Sequence, residues 1–582
     1  MRKLTDLWTD TVSQLVFKAS LRARNERIME SSELVFMPLG GVGEIGMNMA
    51  LYGIGPEGDK RWIIVDFGVA FAHEAHPGAD LIFADIRFLE SERDRIDGIF
   101  ITHGHEDHFG ALFSLWDRLG VPVYGSGFVA DLVEAKGESE PYAPPIPVTR
   151  VEQGSRVQVG PFNVEFVAMS HSIPEGNALA IRTEFGLVLH SGDWKLDDNP
   201  GVGPSTDVGR LIELGKEGVL ALVCDSTNAL TEGSSISEKE VEAELTRQIA
   251  KAKHRVAVTT FASNVARVQA IARAARANDR QCVVVGRALW RFIEVAQEQG
   301  YLQDVPEFLS DDDYGYLPRE NVVAILTGSQ GEKRAALARV AAGEHPNVQL
   351  SKGDRVILSS KAIPGNERGI NEVINNLARL DVDVITEKDA PVHVSGHPKR
   401  DDLRKLYEWV QPRISVPVHG EEMHLKAHGD LARDMGVREV LHVRNGWMAR
   451  LAGGKVKSWD EYLGGRLYKD GALIGTFEEM GIQERRKLSF VGHIAVAITV
   501  NRQGDILGHP QMALNGIPDR DKDDRLFIEI VEAGIFGALK GMPAKKRKDV
   551  DILREAVRRS VRSEVNQCWS KKPVVSVMIN LV

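Results

Sequence analysis

The stretch His103-Gly104-His105-Glu106-Asp107-His108 packs three imidazoles and the Asp107 carboxylate into six positions. It follows the apolar run Ile99-Phe100-Ile101 and precedes a helical pattern from Phe109 to Leu119. Polar residues between such runs read as a loop at the end of a buried strand, where sites are commonly grafted. Three imidazoles and a carboxylate suit a borderline cation such as zinc. The spacing suits two ions. His103 and His105 can turn toward one, and Asp107 and His108 toward a second about 3.5–4 Å away. A solvated polar loop is the competing reading, and it leaves the clustering of three histidines beside an aspartate unexplained.

Two ions need more donors than one loop supplies. His171 follows a strand ending Ala168-Met169-Ser170, Asp193 follows the strand before His190-Ser-Gly-Asp, and His419 lies in Pro-Val-His-Gly-Glu. A carboxylate such as Asp193 can bridge, one oxygen to each ion. Asp66, ending Ile63-Ile64-Val65, is expected to accept an imidazole N–H and fix ligand orientation. The other histidines divide. His73 and His76 read as solvated loop residues and His190 as a buried hydrogen-bonding residue. His424 and His428, four apart on a helix without the glutamate of a zincin, read as surface.

The 582 residues exceed one domain's usual size, and 43% hydrophobic with 26% charged residues is ordinary for a soluble protein. Three cysteines far apart, with no CxxC, exclude a disulfide framework or thiolate zinc site and fit a reducing cytoplasm. No apolar run nears the roughly 20 residues of a membrane span, and Met1 to Ser20 lacks the apolar centre of a signal peptide. The net charge of −10 argues weakly against nucleic acid, but a basic channel depends on the local field. Residues 541–582 carry ten Lys/Arg against four acids, and a solvated helix face competes there with RNA contact.

Strands are expected at 34–39, 62–67, 98–102, 121–124, 163–169 and 186–190. From about 238 helix and strand alternate, as in a parallel α/β unit. Glycines after 450 suggest a linker, and strand 489–500, two helices and strand 573–582 suggest a final β-α-β-like unit. Gly41-Val-Gly43-Glu-Ile-Gly46 matches the dinucleotide fingerprint, but Gly53, Gly55, Pro56 and Gly58 forbid the helix that fingerprint needs. It reads as a β-hairpin with turn glycines.

The HxHxDH loop, Asp66, His171 and Asp193 resemble the metallo-β-lactamase fold. Asp225, His397 (in His393-Val-Ser-Gly-His397) and His419 resemble the three further motifs of its β-CASP branch. The segments GGVGEIGMN, THGHEDH, FASNV, LTGSQGE, IPGNE and PVHGEEMH are similar to those of the bacterial ribonuclease J family, from about residue 33 to the C-terminus. The resemblance implies an α/β chain: an αββα metallo-β-lactamase domain with an inserted β-CASP α/β domain, a linker and a small α+β C-terminal domain. Residues 1–32 lie outside the resemblance and read as an extension of helical character; within it the lactamase domain would span 33–237 and 376–451, and the β-CASP domain 238–375. The linker would span 452–478 and the C-terminal domain 479–582.

The resemblance further implies two zinc ions per subunit, with Mn2+ or Mg2+ as substitutes. His103, His105, His171 and Asp193 would hold one, and Asp107, His108, Asp193 and His419 the other. His393, Val394, Ser395, Gly396 and His397 would line a phosphate pocket, with Ser263, Asn264 and Val265 of FASNV at a 5′-terminal nucleotide. The implied activity is 5′→3′ exonuclease action on single-stranded RNA with a 5′ monophosphate, plus internal cutting, in mRNA decay and rRNA maturation. The expected chemistry is hydroxide attack on phosphorus, with Asp107 and Asp66 serving the metal site and His397 as general acid. A cytoplasmic homodimer or homotetramer without membrane attachment, and a place in an RNA-degradation complex, belong to the same expectation. Lys469-Asp470-Gly471 lacks the second acid of a calcium segment found in relatives. A small-molecule hydrolase or a non-catalytic scaffold explains the inserted unit or the full ligand set less well, and a DNA nuclease is the nearest rival.

Overall fold

The computed structural model describes residues 32–140, 143–363, 365–460 and 464–582, so all of the expected N-terminal extension but Ser32 lies outside the described residues. The chain divides into two compact units. One runs to Ala70 and resumes over Phe83–Gly465; the other comprises Phe71–Ile82 and Arg466–Val582.

The first unit is built on two sheets packed face to face. One runs, edge to edge, through Lys457–Asp460, Trp447–Ala452, Glu33–Gly40, Met49–Gly55, Arg61–Val65, Ile96–Phe100, Val123–Gly125 and Val148–Arg150. The other runs through Glu439–Val440, Ile414–Val418, Val219–Asp225, Gly186–His190, Asn177–Thr183, Phe162–Ala168 and Arg156–Val159. Alternate side chains leave a strand on opposite faces. Val188 and Val223 therefore join Phe36, Tyr52, Ile63, Phe100 and Phe166 between the sheets. Their neighbours Leu187, Leu189, Leu222 and Cys224 face outward, against Leu211 and Leu214 of helix Val208–Glu217 and Leu403 and Leu406 of helix Arg400–Val410. Both faces being covered, these strands read as apolar runs rather than as alternation.

The inserted segment forms a fully parallel sheet in the order Phe308–Ser310, Gln281–Val285, Val322–Leu326, Val256–Thr259, Arg355–Leu358, Asp383–Ile385. Parallel neighbours need long crossovers, and helices Glu238–Lys251, Val265–Arg276, Arg287–Glu298 and Glu367–Arg379 lie in this segment.

In the second unit, strand His493–Val500 pairs antiparallel with Gln511–Asn515 and parallel with Val574–Leu581. Its residues alternate between half-buried and buried, and the buried set packs on helices Phe527–Lys540 and Val550–Trp569. Helix Ile482–Val491 takes the first residues of the expected strand 489–500, because Gly492 at positive φ ends the helix there. Residues 452–478, read as a linker, carry strand Lys457–Asp460 and the hairpin Arg466–Asp470/Leu473–Gly475. Asp470 is ion-paired to Arg485 at 2.5 Å. Part of the basic tail is likewise neutralised: Arg554 pairs with Asp551, and Arg558 and Arg559 with Glu555. His76 is buried, its ring 5.3 Å from that of Tyr468, so it is not the solvated residue expected; His73 is exposed.

Glu165 is buried on strand Phe162–Ala168 and accepts from Arg156 (3.1 Å), Arg182 (2.7 Å) and Arg210 (2.7 Å). Burial pushes its carboxyl up, but Arg210 and Arg182 hold it below the usual glutamate range. A depressed folded pKa contributes stability above the unfolded value, about 4.3, and that contribution is lost as pH falls through the folded value. Glu165→Gln is expected to lower Tm at pH 7 by a few degrees and to flatten the loss of Tm below pH ~4.5. Thermal unfolding at a series of pH values checks this, and parallel curves for the two proteins would contradict it.

Candidate metal centre and phosphate pocket

The ligand loop leaves strand Ile96–Phe100 and ends in one helical turn, Glu106–Phe109, with His105 still extended at φ −83°. His103 and His105 thus precede the turn, and Asp107 and His108 leave it on another side. The hairpin loop 41–48 closes over them. Asn48 N donates to Asp107 O (2.8 Å), and His419 N donates to Gly41 O (2.7 Å). Gly41 has φ +81°, and a Cβ there would lie 2.3 Å from Asn48 Oδ1. The fingerprint-like glycines therefore let a backbone approach the site rather than cradle a nucleotide.

Four of the five rings, all but His105, have a second partner that fixes their orientation. His108 Nδ1 donates to Asp66 Oδ2 at 2.7 Å. Thr102 Oγ1 donates to Asp66 Oδ2 (3.0 Å), so it accepts from His103 Nδ1 (2.9 Å). His171 Nδ1 donates to Gly396 O (2.6 Å), and His419 Nδ1 to Asn48 Oδ1 (2.8 Å). These bonds leave Nε2 of His103, His108, His171 and His419 pointing inward, and His108 Nε2 there also meets Asn48 Nδ2 at 3.0 Å. His103 Nε2 and His171 Nε2 each lie 3.1 Å from His105 Nδ1. His105 Nδ1 can offer one proton at most to these two lone pairs, whereas a cation among the three nitrogens would satisfy all of them. Tetrahedral zinc, with bonds of about 2.05 Å, sets its nitrogens about 3.3 Å apart.

Three donor groups result: His103, His105, His171 and Asp193; Asp107, His108, Asp193 and His419; and a smaller group of Asp225, His397 and His419. The first two have four donors each and share Asp193. Asp193 Oδ2 lies 3.2 Å from His108 Nε2, 3.4 Å from His419 Nε2 and 3.9 Å from both His103 Nε2 and His171 Nε2. One oxygen faces both sets, where the sequence suggested one oxygen for each ion. His419 Nε2 is buried with no hydrogen-bond partner, an orphan that a cation would satisfy. The residues fit two divalent cations.

The electrostatics favour neutral, donor-ready rings at His103, His105 and His171, whereas the surrounding carboxylates favour a positive charge at His108. Burial and neighbouring imidazoles hold His103 and His171 well below the ordinary histidine value, and burial lowers His105 to about 4. Burial also opposes charge on His108, but Asp193, Asp66 and Asp107 raise it well above the ordinary value. Burial pushes Asp193 up, and His419, His108 and His397 together bring it well below the usual carboxylate range.

His397 stands beside this centre. Its Nδ1 lies 2.8 Å from Asp225 Oδ2 and 3.8 Å from Asp193 Oδ2, and its ring stacks on His419 at 5.3 Å. Burial disfavours its charged form, but Asp225 and Asp193 raise its pKa to about 9. Ser395 Oγ accepts from Asn228 Nδ2 (2.9 Å) and from His397 N (3.3 Å), so its own O–H remains a donor. A Cβ on Gly396 would lie 2.5 Å from His171 Cε1, which requires glycine where the pocket loop touches the ligand ring.

Not every expected contact residue faces this space. Val265, expected at a 5′-terminal nucleotide, has a buried side chain and donates its N–H to Ser263 O. Asn264 caps helix Val265–Arg276, its Oδ1 accepting from Arg267 N. Val394 is buried, while Ser263 and His393 are half-buried. His424 and His428 are buried rather than on the surface, and His428 sits between Ser226 Oγ (2.8 Å) and Tyr407 OH (2.9 Å). His190 bonds Tyr52 OH at 2.9 Å. Asn48 and Asn228 were missed in the sequence. The Gly-Met-Asn ending of the glycine-rich loop was the one signal for Asn48, and nothing local marked Asn228.

Asn48→Ala removes the partner of His419 Nδ1 and is expected to weaken the Asp107/His108/His419 set about 10–100-fold, leaving the His103/His105/His171 set near its original affinity. Competition with a chromogenic chelator checks this. Equal weakening of both sites would contradict it.

Residues 48–222 match the metallo-beta-lactamase superfamily, 253–377 the ribonuclease J beta-CASP domain, 382–443 a Zn-dependent metallo-hydrolase RNA specificity domain, and 480–582 the ribonuclease J C-terminal domain. Ribonuclease J of Sinorhizobium meliloti is 51% identical over 553 residues, covering 95% of this chain and 98% of that protein. Ribonuclease J of Mycolicibacterium smegmatis is 38% identical over 541 residues, covering 92% and 95%. A crystal structure of a protein of unknown function from Enterococcus faecalis V583 shares the fold, with a TM-score of 0.52 at 15% identity, over 72% of this chain and 100% of that one. With its ligand geometry, its inserted parallel sheet and relatives alike over nearly their whole length, the chain belongs to the ribonuclease J family.

Proposed function

We propose that this hydrolytic ribonuclease degrades single-stranded RNA from the 5′ end, prefers a 5′ monophosphate, and also cuts internally. The observation that carries the reading is the His397–Asp225 pair and the Ser395 hydroxyl beside two donor sets joined through Asp193 Oδ2. We take zinc as the cation, two per subunit with Mn2+ or Mg2+ as substitutes, because imidazole-rich sets with shared carboxylates suit it. When bound, such cations supply acidity to a water and positive charge to the phosphate oxygens.

The chain's own groups do the rest. Asp193 and Asp107 place carboxylate charge between and beside the ligand sets, and Asp66 holds His108 with its Nε2 inward. His397 has its Nδ1–H committed to Asp225, so the proton available to a departing 3′ oxygen sits on Nε2. The Asp225 carboxylate beside Nδ1 favours the protonated ring. The free Ser395 O–H and the half-buried Ser263 offer neutral donors to a terminal phosphate. Action in mRNA decay and rRNA maturation, cytoplasmic location, a homodimer or homotetramer and recruitment to an RNA-degradation complex complete the proposal. No helix among the described residues is long and apolar enough to cross a membrane.

A time course on RNA bearing a 5′ monophosphate, triphosphate or hydroxyl, beside matched DNA and a chelator control, tests the reading. Mononucleotide release from the monophosphate RNA, abolished by chelator, is expected. Cleavage of DNA alone, or of neither polymer, would overturn it. His397→Ala is expected to lower kcat about 10²–10⁴-fold with metal content unchanged. A variant with raised KM and near-normal kcat would make His397 a phosphate binder only.

A further inference from the structure

Four fully buried charges lie where the inserted domain leaves and rejoins the lactamase domain. Lys195, two residues after Asp193, donates to Asp197 Oδ2 (2.9 Å) and Glu238 Oε1 (3.3 Å). Glu238 opens helix Glu238–Lys251, and its N–H donates to Asp197 Oδ2 (2.9 Å). Arg267, on helix Val265–Arg276, grips both Glu238 oxygens with Nε and Nη2 at 3.0–3.2 Å. Its Nη1 reaches Ser359 Oγ (2.5 Å), Ser359 O (3.2 Å) and Val392 O (3.2 Å). Ser359 Oγ donates to the same Val392 carbonyl at 2.6 Å.

A buried ion network is weak evidence for stability, since desolvation offsets its attraction, and fixing one register is its better-attested use. The register here joins two functional loops. One end is the Asp193–Lys195 segment. The other is Val392, from which the chain runs directly into the His393–His397 pocket loop. Arg267 is suited to the task because a planar guanidinium can satisfy a carboxylate with one edge and carbonyls with the other.

We propose that Arg267 is a positioning residue: through Glu238 and Lys195 on one side and the Val392 carbonyl on the other, it sets the separation between the phosphate pocket and the bridging ligand Asp193. It would thereby govern how strongly binding and cleavage depend on a 5′ phosphate. The inference rests on the 5′-end reading proposed above.

Two variants test it. Arg267→Lys keeps the charge for Glu238 but cannot span to Val392. Ser359→Ala removes one hydroxyl from the tether and preserves every buried charge, so it decides the matter if Arg267→Lys does not fold. The first readout is fluorescence anisotropy of the chelator-treated protein with an oligoribonucleotide bearing a 5′ phosphate or a 5′ hydroxyl. The second is KM and kcat of the metal-loaded protein on the phosphorylated RNA, beside metal content. We expect discrimination between the two ends to fall about tenfold in at least one folded variant, with KM rising more than kcat falls and metal content unchanged. Wild-type discrimination in both variants would overturn this inference alone, as would a fall in kcat at unchanged KM. A wild-type protein that does not distinguish the two ends would overturn both this inference and the 5′-end reading.

Discussion

The site depends on one constraint: ring nitrogens that crowd together with fewer protons than contacts. His103 Nε2 and His171 Nε2 both lie 3.1 Å from His105 Nδ1, which can offer one proton at most, and His419 Nε2 is buried without a hydrogen-bond partner. The outer nitrogens of His103, His108, His171 and His419 are already bonded, to Thr102, Asp66, Gly396 and Asn48. Rotating a ring to relieve the crowding would break those bonds, so the protein holds an arrangement that positive charge completes. The second partners therefore determine the chemistry as much as the ligands do.

The fold supplies these partners from its strand ends. Asp66, the HxHxDH loop, Asp193 and His419 follow strands of the two facing sheets, and Asp225 ends one. The long return from the inserted domain brings Gly396 and His397 to the same point. Asp66 and His419 adopt positive φ, at 64° and 51°. Such backbone costs free energy for a residue with a side chain, and it persists where the surroundings over-determine it. The bonds from Asp66 N to Phe100 O and from His419 N to Gly41 O are part of that determination.

The metal donors were legible in the sequence because ligand chemistry is concentrated: a histidine-rich loop after an apolar run has few other uses. The inserted parallel sheet was legible from the alternation of helix and strand after residue 238. Contacts made by ordinary polar residues across long separations were not. Asn48 and His419 meet across 371 positions, and neither local pattern signals the other. The i,i+4 pair His424 and His428 misled because spacing gives a helix face but not what that face packs on. In the 452–478 region glycine content suggested a linker, yet turn glycines are also what short hairpins need.

The central claim is a pair of cations joined by a single aspartate oxygen. Diffraction from zinc-loaded crystals, with anomalous maps calculated at the zinc edge, addresses it most directly. Two peaks about 3.5–4 Å apart, one among His103, His105 and His171 and one among Asp107, His108 and His419, with Asp193 Oδ2 in contact with both, are predicted. A single peak, or two peaks that Asp193 does not share, would contradict the account.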